Sequence, residues 1–249
     1  MLKCLSFSLY GNDNEYIRKF INNLPLYKKY FSDYDIILYA DNKLKELMHD
    51  FCINNSVKVF YESQKYQSDG MFWRFYPILS KSYDVVLVRD VDYLPSEYEL
   101  QLINQFIESR FLFHIIRSHH DHKMPIMGGL FGIKKALFND FQLGYIKWKS
   151  INENKYIKYN DDQLFLANYI YKKVYKASLI HSKNIVFLGE KVNFINPPDN
   201  FIIGGDDKHT TDFKKNNFIY YYLPVWVLFL LKYRALNYLR IKFKNIEKH

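Results

Sequence analysis

The stretch Tyr83-Asp84-Val85-Val86-Leu87-Val88-Arg89-Asp90 constrains this chain more than any other. A nearly continuous β-branched run has to be covered on both faces, which makes it a central strand of a mostly parallel sheet. The segments ahead of it alternate strand and helix. Leu2 to Tyr10 reads as a strand ended by the turn-forming Gly11-Asn12-Asp13, and Glu15 to Tyr30 as a helix interrupted or kinked at Pro25. Tyr34 to Ala40 is a second apolar run, followed by Leu44, Leu47, Met48 and Phe51 at helical spacing. A strand over Val57 to Tyr61 and a helix from Met71 to Leu79 complete the approach. The pattern predicts an α/β fold with a doubly wound, mostly parallel central sheet and flanking helices. Ligands of such sheets bind beyond the carboxyl ends of the strands, where Asp90-Val91-Asp92 lies.

The second half is less regular. Glu99 to Ser109 reads as a helix, and Phe111 to Arg117 and Gly128 to Ile133 as strands. Asp161 to Val174 reads as a helix with the stripe Leu164, Ala167, Ile170 and Val174, and Ser178 to Ser182 as a short strand carrying His181. No repeat or Gly/Ser linker divides the chain, so residues 1–215 are expected to form one domain. Residues 216–249 form a C-terminal apolar and basic segment.

The net charge of +9 is concentrated there: Lys232, Arg234, Arg240, Lys242, Lys244 and Lys248 stand against Glu247 alone. Charge gathered on an end segment disfavours a nucleic-acid groove and favours an anionic membrane surface. The apolar run Phe218 to Leu231 is shorter than the roughly 20 residues a helix needs to cross a bilayer. It suits an interfacial anchor; a helix packed on the core is the alternative. The two cysteines, Cys4 and Cys52, sit in no metal or redox spacing. Met1-Leu2-Lys3-Cys4 runs straight into a strand without a secretory signal. Both features point to a cytoplasmic protein, peripheral on the inner face of the membrane if the anchor reading holds.

Asp90 and Asp92 are two residues apart, so in extended geometry both carboxylates can approach one cation. Oxygen ligands suit a hard divalent ion, Mg²⁺ or Mn²⁺, which keeps positions open for substrate phosphate. The structural alternative is a solvated loop after a strand. His119, His120 and His122 match no zinc spacing and read as a pocket wall or a polar loop. Gly204 to Thr211 reads as a flexible loop able to close over a diphosphate, or as plain exposed loop.

Four stretches fall in one order along the chain: Gly70-Met71-Phe72-Trp73-Arg74-Phe75, Arg89-Asp90-Val91-Asp92, Phe113-His114-Ile115-Ile116-Arg117 and Pro125-Ile126-Met127-Gly128-Gly129. Asp162-Gln163-Leu164-Phe165-Leu166 and Ser178-Leu179-Ile180-His181 follow. The set resembles a group of GT-A-type glycosyltransferase-like proteins found among bacterial surface-glycan genes and in large viruses. The resemblance spans most of residues 2 to 205. Ser118 and Ser182 depart from it, since the family pattern has Asp at both places.

The resemblance implies a GT-A fold, a nucleotide-sugar donor, a glycan or glycolipid acceptor, and a divalent metal at Asp90 and Asp92. It implies His181 as a third metal ligand, against the alternative of a buried strand histidine. It favours Asp162 over Asp161 as the base that takes a proton from the acceptor hydroxyl; Asp161 then suits the helix cap. Gly128 and Gly129 let the backbone approach the donor closely. Arg74 and Arg89 are candidates for the diphosphate, or for structural ion pairs. Tyr10 and Asp41 end the first two strands, where the nucleobase or ribose would sit. Two other classes share these features: a metal-dependent phosphodiesterase or nuclease, and a non-catalytic module for anionic surfaces. The first usually needs more converging acids than Asp90 and Asp92.

Overall fold

A computed structural model of the chain describes residues 1–11, 13–63, 67–119, 121–152, 158–198, 202–204 and 220–222. His120, residues 205–211 of the expected loop, and the C-terminal segment apart from residues 220–222 lie outside the described residues.

Strand β1 (Lys3–Leu9) leads to helix α1 (Asn14–Tyr30), β2 (Asp35–Asp41), α2 (Lys45–Asn54) and β3 (Lys58–Glu62). A 3₁₀ segment over Gln67–Phe75 passes into α3 (Tyr76–Ser80) and β4 (Val85–Arg89). Next come α4 (Glu97–Glu108), β5 (Phe113–Arg117), β6 (Leu130–Lys134) and α5 (Phe138–Asn152). The chain continues through α6 (Asp161–Phe165), a π turn over Leu166–Ile170, α7 (Tyr171–Val174), β7 (Ser178–Ser182), β8 (Ile185–Phe187) and β9 (Val192–Phe194). Eight strands form one sheet in the order β3-β2-β1-β4-β6-β5-β7-β9. Strand β6 is antiparallel to both β4 and β5, and every other pair in the sheet is parallel.

Strand β4 is central, with all five residues buried. Its side chains alternate between two cores, as strand geometry requires. Val86 and Val88 join Phe75, Phe131, Phe141, Phe165 and Trp148 on one face. Val85 and Leu87 join Phe7, Phe20, Tyr27, Ile103 and Phe106 on the other.

Helix α1 belongs to the second face. Asp13 opens it by accepting from the Glu15 N–H at 2.8 Å, and Ile17, Phe20, Leu24 and Tyr27 form its buried stripe. Each such burial contributes about 1.5–3 kcal/mol. The helix runs on past Pro25 instead of being interrupted there. The single helix expected over residues 161–174 is two short helices joined by the π turn.

Residues Tyr220–Tyr222 form strand β10, which pairs in parallel with β8. Three residues of the expected C-terminal helix are therefore strand. Among the described residues no helix is long and apolar enough to cross a membrane.

Candidate active site

The turn after β4 is held from below and behind. Tyr93 N–H donates to the Asp90 carbonyl at 3.3 Å, and the Tyr93 carbonyl accepts from Asn23 Nδ2 and from the Tyr27 hydroxyl of α1, each at 3.0 Å. Asp90 and Asp92 thus stand on a braced turn at the carboxyl end of the central strand. Both line a pocket there with Ser8, Tyr10, Arg74, Gly128, Gly129 and Asp162.

Asp162 reaches this pocket because it shares the buried face of α6 with Phe165, three residues on. The Phe165 ring lies among Phe75, Phe141 and Trp148, with centroids 5.5–6.0 Å away, and this anchors the short helix. The π turn that follows is a rare element, frequent at functional sites. Asp161 does not cap the helix from its first position; its carboxylate accepts from the Lys158 N–H at 2.7 Å and shapes the loop ahead.

Arg74 joins the two acids. Its backbone N–H donates to Ser8 Oγ at 2.8 Å, which fixes the end of the 3₁₀ segment against β1. Its Nη1 donates to Asp90 Oδ1, and its Nη2 donates to Asp162 Oδ2 at 2.6 Å. Burial works against the charge on Arg74, and Asp90 and Asp162 outweigh it, so its pKa is raised. Burial also lifts the Asp162 carboxyl above the ordinary range, with Arg74 opposing.

The floor is backbone. A Cβ at Gly129 would overlap the Asp90 carboxylate, and one at Gly128 would overlap Asp162 Oδ2 and lie 3.0 Å from Arg74 Nη2. Tyr10 closes one side, edge-on to Trp73 at 6.3 Å, and Gly70 is bare where a Cβ would strike the Tyr10 ring.

Three expected site residues are elsewhere. Arg89 points to the opposite face from Asp90, fully buried; its Nε donates to Glu99 Oε1 at 2.7 Å, and its Nη1 donates to the carbonyls of Val88 and Phe131. It braces the β4–β6 junction and does not line the pocket. His181 sits on β7, three strands from β4, roughly 14 Å at the usual spacing of about 4.8 Å per strand. Its Nδ1 meets His114 Nε2 at 2.9 Å and its Nε2 meets Gln105 Oε1 at 3.1 Å. Burial lowers its pKa to about 4. It does not line the pocket that holds Asp90 and Asp92. Asp41 is buried, accepts from the Lys43 N–H at 3.0 Å, and does not line the pocket. Neither His119 nor His122 lines it. Among the described residues no group of three His, Cys, Asp or Glu side chains gathers around one point.

The lining residues that were not expected include two exposed tyrosines. Tyr16 and Tyr159 stand at the pocket mouth, 42% and 82% exposed. Tyr16 stands in the first turn of α1, four residues before buried Phe20, and Tyr159 precedes Asn160, whose φ of 71° turns the chain into α6.

The fold and pocket define an α/β protein with a mostly parallel eight-stranded sheet and an acidic pocket at the carboxyl end of its central strand. No family model matches the sequence, and no curated protein matches it. Among solved structures the chain is similar to a glycosyltransferase involved in glycosylation of the major capsid of PBCV-1, at 16% identity over 75% of this chain and 84% of that one, TM-score 0.43. It is similar to a mannosyltransferase of Pyrobaculum calidifontis in complex with GDP-Man and Mn²⁺, at 8% identity over 56% of this chain and 46% of that one, TM-score 0.42. It is also similar to 4-diphosphocytidyl-2C-methyl-D-erythritol synthase from Anaerococcus prevotii, at 12% identity over 84% of this chain and 94% of that one, TM-score 0.48. The chain thus spans less than half the length of the mannosyltransferase.

Proposed function

We propose that the chain is a glycosyltransferase that moves a sugar from a nucleotide-sugar donor to a hydroxyl of a glycan or glycolipid acceptor. The observation that carries this is the charge of the pocket. Asp90, Asp92 and Asp162 line it against one cation, Arg74, among the described residues. An anionic diphosphate enters a negative pocket only together with a cation.

The donor set fits a hard divalent ion. Asp90 and Asp92 offer carboxylate oxygens at the solvent side, and Gly129 leaves space for the Asp90 carboxylate that any side chain would fill. We assign Mn²⁺ or Mg²⁺ to these two residues, without His181. Bound there, the ion would neutralise charge that builds on the departing nucleoside diphosphate.

The other residues divide the remaining work. Tyr10 offers a face to the nucleobase or ribose, and Gly128 and Gly129 leave room for the Asp162 and Asp90 carboxylates beside the donor. Asp162, buried and oriented by Arg74, takes the proton of the acceptor hydroxyl as its oxygen attacks the anomeric carbon. The sugar–phosphate bond breaks, and its electron pair leaves with the nucleoside diphosphate. The segment 216–249 is assigned to an anionic membrane surface that would hold the enzyme near a lipid-linked acceptor; its deletion is expected to abolish vesicle binding and leave nucleotide binding intact.

Calorimetric titration of UDP, GDP, CDP and ADP, each with and without Mn²⁺, tests the reading. One nucleotide is expected to bind, and only with the metal. Failure of all four under both conditions would overturn it.

A further inference from the structure

We propose that Arg74 is a resident counter-ion of the metal site: it occupies Asp90 until a divalent ion displaces it, and the released guanidinium edge then meets the donor diphosphate. The proposal rests on the transferase reading above and assigns a mechanism of exchange to its metal site.

The geometry is that of a hinge with one fixed and one open side. Arg74 is 7% exposed and grips two carboxylates of unlike surroundings. The Asp162 side chain is 2% exposed, while that of Asp90 is 52% exposed and open to the pocket. A cation arriving from solvent therefore meets Asp90 and Asp92 first. It competes with Nη1 for Asp90 Oδ1, and the two positive charges repel across a few ångströms. The bond from Nη2 to Asp162 survives this exchange, so Arg74 stays in the pocket wall with Nη1 free. Its Nε is already buried without a hydrogen-bond partner. A buried donor left unmade is costly, and a phosphate oxygen is a strong acceptor for it.

Two consequences follow from this exchange. Metal and nucleotide bind with positive coupling, since each favours the displaced arginine. Without nucleotide, Arg74 weakens the metal, so its removal strengthens metal binding.

Mn²⁺ alone is the probe, titrated into the full chain and followed by the electron paramagnetic resonance of the free ion. Arg74→Gln is expected to bind Mn²⁺ about tenfold more tightly than the unaltered chain, the order expected for loss of one nearby charge. Because this variant leaves Asp162 buried and unpaired, Arg74→Gln/Asp162→Asn is measured beside it. That pair preserves the net charge, so tighter Mn²⁺ binding by it isolates occupancy of Asp90 from overall charge. Adding the nucleotide that binds is expected to tighten Mn²⁺ binding in the unaltered chain and to do so much less in the variants. Equal or weaker Mn²⁺ binding by the double variant overturns the exchange. If Asp92→Asn abolishes Mn²⁺ binding in that same experiment, the metal site itself stands. If Asp92→Asn binds as the unaltered chain does, or no chain binds Mn²⁺, the metal site has failed and the exchange with it.

Discussion

Arg89 and Asp90 are adjacent in sequence and leave the central strand on opposite sides of the sheet. Arg89 ends in a buried ion pair with Glu99 of α4, and Asp90 ends in the pocket against Arg74. One step of strand alternation separates a bracing residue from one that lines the pocket.

The brace makes a stability prediction. Arg89→Met leaves Glu99 charged and buried, which costs about 3–5 kcal/mol. Arg89→Met/Glu99→Leu removes both charges and is expected to recover most of that loss in denaturant unfolding. Metal-dependent nucleotide affinity should be unchanged in the double variant. A selective loss of affinity there would return Arg89 to the donor site.

The glycine floor makes a binding prediction. Gly129→Ala drives a methyl group into the Asp90 carboxylate, and metal-dependent nucleotide binding should weaken at least about tenfold, close to 1.4 kcal/mol. Gly128→Ala presses instead on Asp162 and Arg74, so it should lower turnover more than affinity. Calorimetry on both variants, paired with turnover assays, separates the two effects.

Asp162→Asn should reduce transfer by roughly 10²–10⁴-fold while nucleotide still binds. A base acts only when ionised, so turnover of the unaltered protein should rise with pH through the Asp162 pKa. Burial places that rise above the ordinary carboxylate value. The variant should lose this acid limb; an identical pH profile in both would remove Asp162 from the chemistry.

His181 carries the opposite sign. Its folded pKa of about 4 lies below the ordinary 6.5, so the unfolded chain binds a proton that the folded chain excludes. Its contribution to stability is full above pH 6.5 and is lost as pH falls towards about 4. His181→Gln should show a smaller fall in Tm between pH 7 and pH 5. Its Mn²⁺ affinity at pH 7 should match that of the unaltered protein.

Much of this arrangement was legible in the residues. The uninterrupted apolar run of β4 identified the central strand, and the carboxylates after it fell at the pocket as that placement implies. Asp162 was singled out by the family resemblance, which favoured it over its neighbour Asp161, and the π turn that follows leaves no mark in the apolar spacing. The distance of His181 from the pocket was not legible, because lateral strand order is a tertiary property: antiparallel β6 lies beside β4, and β5 and β7 lie beyond it. Arg89 could have been placed by counting, since Val86, Val88 and Asp90 share one parity and Arg89 has the other. Asp41 ended its strand as expected, and its carboxylate went to the nearest free backbone donor.

Because peptide backbone, not side chains, underlies the carboxylates of Asp90 and Asp162, the floor is hard to reshape one mutation at a time. Every substitution at Gly128 or Gly129 adds a Cβ where the Asp162 or Asp90 carboxylate lies, so that carboxylate has to shift. New substrate preferences would have to be acquired at the rim, where Tyr16 and Tyr159 are exposed and free to vary in size and polarity without disturbing the charges beneath. Directed evolution of this chain should therefore accumulate its specificity changes at those tyrosines and leave the glycine pair untouched.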